Sequence, residues 1–331
     1  MKKIYFVEKT IPFNSNDINE PFIGGSEKTL INISNELGKF NNIQIKVFNL
    51  TNIKKTINNV EWNNLNDIKF NDQPDILISM SDANLLSMFK CNQNFLWSHS
   101  VQPFEKFLRK KQLFSFLKYK PIMILEGKYH YDNRSFLTSL FGKKILPIAV
   151  DYEFINYSVS ERLLPEKNAI FTTRSDRNLD FLLNCWTEIK NQSLNSHLFI
   201  NPPFNLSEEQ LNNGIKLRVK GSKKELIEEL STKRVMLNPG HKGEVFCLAA
   251  EEARVMCIPI VTMGIGALRE RVEHGITGFI AKNKNEFIDY TIKILNDDTL
   301  YMQLKKNLLT RRNIRSYKDV ANDFIKIVNE N

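Results

Sequence analysis

Only four cysteines occur in 331 residues, Cys91, Cys185, Cys247 and Cys257. None forms a CxxC pair and no histidine stands at metal-ligand spacing from them, which argues against a zinc site and against a disulfide framework. A reducing, cytoplasmic compartment is the expectation, with peripheral attachment to the inner face of a membrane as a variant of it. Long apolar runs are also missing. The opening MKKIYFVEKT has a four-residue apolar run before Glu8, too short for a signal-peptide core. No later stretch approaches the roughly 18 apolar residues that a membrane span requires. There is no short-period repeat and no long low-complexity tract, and the abundance of Asn, Lys and Ile reads as genome composition.

What is present is enough apolar material, 42% of residues, for two hydrophobic cores. Lys and Arg outnumber Asp and Glu by 46 to 37, a formal charge of +9. That balance favours an acidic partner, and nucleic acid, anionic lipid headgroups and nucleotide phosphates all qualify. Short β-rich runs recur between helical patterns: KIYFVEK, IQIKVFNL, DILISM, NFLWSHS and PIMILEG, then NAIFTTR, HLFINPPF, RVMLNPG and IPIVTM. Continuous apolar strands alternating with helices predict parallel sheets covered on both faces. The series restarts near residue 150, so the expectation is two doubly wound α/β domains, at 1–150 and 151–312. The tail SYKDVANDFIKIVNEN carries Val320, Phe324, Ile325 and Val328 at helical spacing and predicts an amphipathic helix over 313–331.

In such sheets ligands sit beyond the carboxyl ends of the strands. GHKGEVFCLAAEEA follows the strand RVMLN, and helix-favouring residues begin near Cys247. The amides of Phe246, Cys247 and Leu248 would be free donors at a helix N-terminus, a natural phosphate site. Glu244 would lie at the mouth of that site, and Glu252 about one and a half turns in, able to accept hydrogen bonds from sugar hydroxyls. A solvated helix face explains the same glutamates equally well from spacing alone. Downstream, CIPIVTMGIGALRERVEHGITGFI reads as strand, glycine turn, short helix, Gly-x-x-Gly turn and strand.

From Pro239 to Ile280 the chain resembles the carboxyl-terminal signature of the retaining glycosyltransferases of family 4, through Glu244, Glu252, Pro259, Gly266, Glu270, Gly275 and Gly278. The resemblance implies a GT-B fold: two Rossmann-like domains facing across a cleft, the first binding acceptor and the second nucleotide-sugar, with the carboxyl-terminal helix crossing back to the first. It implies a UDP- or GDP-sugar donor, a saccharide or lipid-linked acceptor, no metal or other cofactor, and a role in cell-surface polysaccharide or lipopolysaccharide synthesis. In the first half, Gly24 and Gly25 open a helix whose Leu30, Ile33 and Leu37 share a face, and the resemblance places their loop near the donor diphosphate. His99, at the end of NFLWSHS, matches the family's histidine at the donor sugar. Arg174 and Arg177 stand where the family has two diphosphate-binding cations, and arginine forks suit phosphate oxygens. His99, Arg177 and Glu244 are thus the expected catalytic residues. Gly24, Gly25, Arg174, Arg177, Glu244, Phe246, Cys247, Leu248 and Glu252 are the expected donor-binding ones.

The pattern also has departures. Thr173 precedes Arg174 where the family has Gly, Val245 and Cys247 replace usual glycines, and Ala267 replaces the second glycine of a pair. A catalytically silent nucleotide-sugar binder or partner subunit is therefore the alternative. Finally, KFLRKKQLFSFLKYK, residues 106–120, interleaves six cations with aromatic and aliphatic residues. An anionic membrane surface would suit it, and so would packing on its own domain. No helix-turn-helix, zinc finger or RNP-type signature accompanies the basic charge, so nucleic acid is not an expected partner.

Overall fold

The computed structural model describes residues 1–20, 22–68, 72–202, 205–219 and 221–330. Pro203 and Phe204, the end of the run HLFINPPF, fall outside them. The chain divides into two compact units, Met1–Ala149 with Ser316–Asn331, and Val150–Arg315. The helical tail therefore joins the first unit three residues later than the expected start at 313.

The first unit holds strands β1 (Lys2–Val7), β2 (Ile43–Asn49), β3 (Lys55–Ile57), β4 (Val60–Asn64), β5 (Ile76–Met80), β6 (Gln93–Trp97), β7 (Ile122–Leu125) and β8 (Lys143–Ile145). They form one sheet in the order β3-β4-β2-β1-β5-β6-β7-β8. Every pairing is parallel except β3 with β4. That hairpin turns through Asn58 and Asn59, both at positive φ (52° and 61°), which asparagine tolerates better than most residues. Ile4, Tyr5, Phe6 and Val7 are all fully buried, so β1 reads as an unbroken apolar run because both of its faces are covered. The unit's helices are α1 (Gly25–Leu37), α2 (Phe104–Arg109), α3 (Leu113–Tyr119) and α4 (Lys128–Asp132), besides the carboxyl-terminal one.

The basic stretch 106–120 differs from the single amphipathic segment expected. It is two short helices, α2 and α3, broken where Lys111 takes positive φ (53°). Phe107 and Phe116 are buried and meet edge to face at 5.3 Å, in a cluster with Leu96, Met123 and Leu125. Phe114 and Leu108 point outward, 75% and 50% exposed.

The second unit holds α5 (Tyr152–Asn156), β9 (Glu166–Phe171), α6 (Leu179–Gln192), β10 (Leu198–Ile200), α7 (Glu208–Asn212), β11 (Ile215–Leu217), α8 (Lys223–Ser231), β12 (Lys233–Leu237), α9 (Leu248–Val255), β13 (Ile260–Thr262), β14 (Gly278–Ile280), α10 (Lys284–Asn296) and α11 (Asp298–Thr310). Its sheet is wholly parallel, in the order β11-β10-β9-β12-β13-β14. Alternation along β12 builds both of its cores. Val235 and Leu237 pack with Leu182 and Trp186 of α6 and Phe287 of α10. Met236, between them, packs with Leu230 of α8 and Ala250 and Ala253 of α9. Each of the larger aliphatic and phenyl side chains contributes about 1.5–3 kcal/mol when fully buried, and the two faces together hold the carboxyl ends of the strands on one rim.

The tail forms α12 (Tyr317–Asn329), opened by a Ser316–Asp319 capping box. Val320, Phe324 and Val328 are buried as the spacing predicts, with Ile327 joining them while Ile325 is only partly covered. Phe324 lies against Phe6 at 5.9 Å, the Tyr317 hydroxyl meets Thr29 Oγ1 at 3.2 Å, and Lys2 Nζ donates to Asn329 Oδ1 at 2.8 Å. Among the described residues no helix is long and apolar enough to cross a membrane.

Candidate functional site

The loop between β12 and α9 is held in shape by contacts that leave little freedom. Asn238, buried at the end of β12, accepts the Gly240 amide at 3.0 Å and turns its own amide toward Cys247 Sγ at 3.4 Å. Gly240 sits at φ 94°, where a Cβ would come within 2.5 Å of the Ile265 carbonyl oxygen. Gly266 sits at φ 72°, where a Cβ would lie 2.3 Å from the His241 carbonyl oxygen. Only glycine allows these two loops to press together while adopting left-handed backbone. The Asn178 side chain, at the start of α6, donates to the Gly240 carbonyl and ties a third strand end to the same place.

Glu244, Arg177 and His241 meet in this loop. Arg177 Nη1 donates to His241 Nδ1 at 2.5 Å, and the Gly243 amide donates to the same nitrogen at 3.0 Å. A Cβ on Gly243 would come within 2.8 Å of Arg177 Nη1, so a side chain there would push the guanidinium aside. Glu244 is buried, 8% exposed. Its Oε1 accepts the Cys247 thiol at 3.5 Å, and its Oε2 has no partner among the described residues. Burial raises the carboxyl above its ordinary range, against the opposing pull of the Arg177 guanidinium. A buried carboxylate oxygen without a donor is costly and demands one.

The helix begins one residue later than the sequence suggests. Cys247 is the N-cap of α9, at φ 63°, so Leu248, Ala249 and Ala250 supply the first-turn amides, and that of Ala250 donates to the Cys247 thiol. The expected trio of free amides at Phe246, Cys247 and Leu248 is thus reduced at the helix itself to Leu248 and Ala249. Burial holds the Cys247 thiol well above its usual range, so it is a hydrogen-bonding residue rather than a nucleophile here. Phe246 is pinned by Arg271, whose Nε donates to the Phe246 carbonyl at 2.9 Å and whose guanidinium lies 4.0 Å from the ring centre.

The neighbouring glutamates separate by their partners. Glu251, 1% exposed, pairs with Arg254 at 2.8 Å and Arg271 at 3.6 Å and accepts from Asn313 at 2.7 Å. It is spent on structure. Glu252 is partly exposed, at the fifth position of α9 and therefore only just past one turn. Arg177 keeps 16% of its side chain exposed, whereas Arg174 keeps 71% and pairs with Asp176 at 3.0 Å. Glu270, within the short 3₁₀ helix Gly266–Glu270, is exposed.

In the first unit, Gly24 caps α1 and Gly25 begins it. A Cβ on Gly24 would lie 2.6 Å from Glu27 Oε2, so the glycine makes room for a buried carboxylate. Glu27 accepts from Thr10 Oγ1 and Ser26 Oγ, each at 2.9 Å. Glu8, at the end of β1, is also buried; burial raises its carboxyl, and its Oε2 is unpartnered among the described residues. His99 stacks on Trp97 at 5.7 Å, and its Nδ1 bonds Glu126 Oε1. Its Nε2 is buried without a partner among the described residues. Glu126 and His130, both buried, complete this group.

Glu8, Glu27, Glu126, His130, Asn178, Asn238 and His241 were not singled out from sequence. A signal existed for three of them: Glu8, Glu126 and Asn238 each directly follow a buried strand, the position where ligands gather in open α/β sheets. Among the described residues no group of three or more His, Cys, Asp or Glu could hold a metal ion. A surface cavity of about 540 Å³ beside α11, lined by Arg162, Met302, Lys306 and Leu309 among others, contains none of the expected site residues.

Residues 175–310 match the family model described as glycosyl transferases group 1, a span that includes Arg177, Glu244 and Glu252 and stops one residue short of Arg174. No curated protein matches the sequence. Among solved structures, HepE of Anabaena, in complex with UDP and glucose, is similar with a TM-score of 0.72 at 13% identity, over 100% of each chain. A sucrose-phosphate synthase from Thermosynechococcus elongatus gives 0.72 at 13% identity, over 100% of this chain and 99% of that one. A glycosyltransferase from Rickettsia africae gives 0.71 at 13% identity, over 99% and 98%. Likeness at these identities establishes the fold, which is GT-B: two Rossmann-like α/β domains and a carboxyl-terminal helix.

Proposed function

We propose that the protein is a metal-independent, retaining glycosyltransferase that moves a sugar from a UDP- or GDP-sugar to a saccharide or glycolipid acceptor, in the synthesis of a cell-surface polysaccharide or lipopolysaccharide. The observation that carries this reading is the unpartnered Oε2 of buried Glu244, beside the Arg177 guanidinium and the N-terminus of α9. An acceptor-only carboxylate oxygen fits a sugar hydroxyl, and a guanidinium with helix amides fits a diphosphate. The family match over residues 175–310 and the bound UDP and glucose of the Anabaena relative support the same substrate class.

In this reading Glu244 holds the donor sugar, Glu252 the ribose hydroxyls, and Arg177 with the Leu248 and Ala249 amides the departing diphosphate. Arg174 assists from its exposed position. Catalysis rests on stabilising negative charge as the sugar–phosphate bond breaks, and the leaving phosphate itself assists the incoming hydroxyl, so no separate base is required. The exposed Phe114 and Leu108 beside Lys110, Lys111 and Lys118 support contact with an anionic membrane, where a lipid-linked acceptor would be met. That contact predicts salt-sensitive binding to anionic vesicles.

The Cys247 thiol occupies one oxygen of Glu244, which favours, as a second reading, a protein that binds the donor without turning it over. The test is thermal stabilisation by UDP, GDP, ADP and their sugars without metal, for the wild type, Glu252→Ala and Arg177→Ala, followed by analysis of the product anomer. Stabilisation by one nucleotide that both substitutions reduce supports the donor site. Retention of the donor's anomeric configuration supports the mechanism. Stabilisation without turnover selects the silent binder, and no stabilisation by any nucleotide overturns both.

A further inference from the structure

Helix α11 presents two faces to its own unit. Tyr301, Leu304, Lys305 and Leu308 are buried in the core, whereas Met302, Lys306 and Leu309, themselves at helical spacing, line the surface cavity of about 540 Å³. The other wall is the segment 157–165, which has neither helix nor strand and contributes Glu161 and Arg162. Three cations hold that wall by its carbonyl groups. Lys305 Nζ donates to the Leu163 carbonyl at 2.8 Å, Arg234 Nη2 to that of Pro165 at 3.3 Å, and Arg312 Nη2 to that of Tyr157 at 2.9 Å. Lys305 and Arg234 are themselves buried, 5% and 3% exposed. The concavity is therefore set by anchored backbone, and its volume falls in the range of small-molecule sites.

Its lining is aliphatic and cationic. Met302 and Leu309 are partly buried, while Arg162 and Lys306 are exposed and have no side-chain hydrogen bond or ion pair among the described residues. Glu161 is the one carboxylate in the lining, set against those two cations. No aromatic ring lines the cavity, so a nucleobase or a pyranose finds no face to stack on. We propose that this cavity binds one molecule of an anionic amphiphile, its aliphatic chain against Met302 and Leu309 and its carboxylate or phosphate head on Arg162 and Lys306. Both heads present oxygen acceptors that a guanidinium and an ammonium hold by charge-assisted hydrogen bonds, and each methylene group removed from water adds to the affinity. Leu163 and Leu164, 51% and 45% exposed, extend the apolar surface of the same wall. A concave site of this kind takes a single chain, whereas a bilayer is met by an apolar face that inserts into it. The inference is independent of the donor-site reading, since no residue of that site lines the cavity.

The experiment uses the full chain labelled with ¹³C-methyl methionine and titrated with decanoate and decyl phosphate below their micelle concentrations. Decanol is the uncharged control, phosphatidylglycerol vesicles form a separate arm, and Met302→Leu assigns the Met302 methyl signal. At least one of the two anions should bind saturably at one equivalent and shift that signal, and the tighter of them identifies the head group. Decanol should bind about tenfold more weakly than that anion. The double variant Arg162→Gln, Lys306→Gln changes two exposed side chains and should melt as the wild type does. It should weaken the anion about tenfold or more and leave decanol unchanged, with Lys306→Gln alone showing an intermediate loss. A Met302 signal unmoved at saturation, uptake that does not saturate at one equivalent, or equal anion affinity in the variants overturns the proposal. Binding confined to the vesicles, with no response to either monomeric anion, overturns it as well, because the patch would then be a membrane-contact surface.

Discussion

Replacing Glu244 by Gln separates what the residue does for the fold from what it does for a ligand. The carboxyl's pKa is raised in the folded protein by burial, which outweighs the attraction of Arg177. A raised folded-state pKa means that its contribution to stability is present below the unfolded value and is lost as pH rises through the folded value. Above that folded value the ionised group is therefore a net cost to folding, and Glu244→Gln, which has no charge to bury, should leave the melting temperature unchanged or raise it. Its hydrogen bond to a sugar hydroxyl, in contrast, changes from charge-assisted to neutral. The difference is about 1–2 kcal/mol, or about 5–30-fold in affinity for the nucleotide-sugar. The free nucleoside diphosphate, which does not reach Glu244 in the proposed mode, should bind as before. Calorimetric titration with UDP, UDP-glucose, GDP and GDP-mannose, alongside thermal melts at pH 7, reads all three effects. A variant that melts lower and binds nucleotide-sugar as tightly as the wild type would refute the reasoning, because Glu244 would then be a structural carboxylate like Glu251.

Arg177→Lys should weaken the nucleoside diphosphate about tenfold or more by removing a guanidinium fork. Arg174→Ala should change it by less than about threefold, since the Arg174 side chain is exposed and, among the described residues, engaged only in a surface pair; the same titrations compare them. Gly266→Ala should cost about 2 kcal/mol or more, from left-handed backbone and the backbone oxygen 2.3 Å from its Cβ, measured by urea unfolding. His130, with its pKa lowered to about 4, contributes stability that is present above pH 6.5 and lost as pH falls toward 4. Depression from the ordinary imidazole value by that amount corresponds to about 3 kcal/mol over the window. His130→Asn, which keeps an acceptor for the Glu126 amide, should flatten the acid limb of a pH–stability profile between those values.

The elements readable from sequence were those whose signal is local. β1, β5, β6, β9 and β12 each contain a run of three or more buried apolar residues or, in β5, one broken only by Ser79, and α12 repeats its buried residues at helical spacing. Four strands escaped, β3, β4, β8 and β11, and all but β4, which buries Val60, Trp62 and Asn63, are three residues long with at most one of them buried. β3 has no fully buried residue, β8 is three partly exposed residues, and only Ile215 of β11 is buried. These are strands because a neighbour in the sheet supplies hydrogen bonds, which composition does not register. The stretch 106–120 illustrates the converse. Its alternation of cations and apolar residues is compatible with one amphipathic helix, yet left-handed Lys111 splits it so that Phe107 and Phe116 both reach the same core.

Three glutamates within nine residues show why the candidate site was legible in outline and not in detail. Glu244, Glu251 and Glu252 are identical in side-chain chemistry, and helical spacing alone sets Glu251 and Glu252 on different faces of α9. What distinguishes them lies far away in sequence: Arg271 and Asn313 neutralise and satisfy Glu251, while Arg177 approaches Glu244 without completing it. The same logic hid Glu126, whose partner His99 lies just beyond the end of the preceding strand. A buried carboxylate is structural when its oxygens are all accounted for by its own chain, and a candidate for ligand binding when one is not. By that criterion Glu244 qualifies and Glu251 does not, which ties the donor-site proposal to the one carboxylate of the three with a buried oxygen left over.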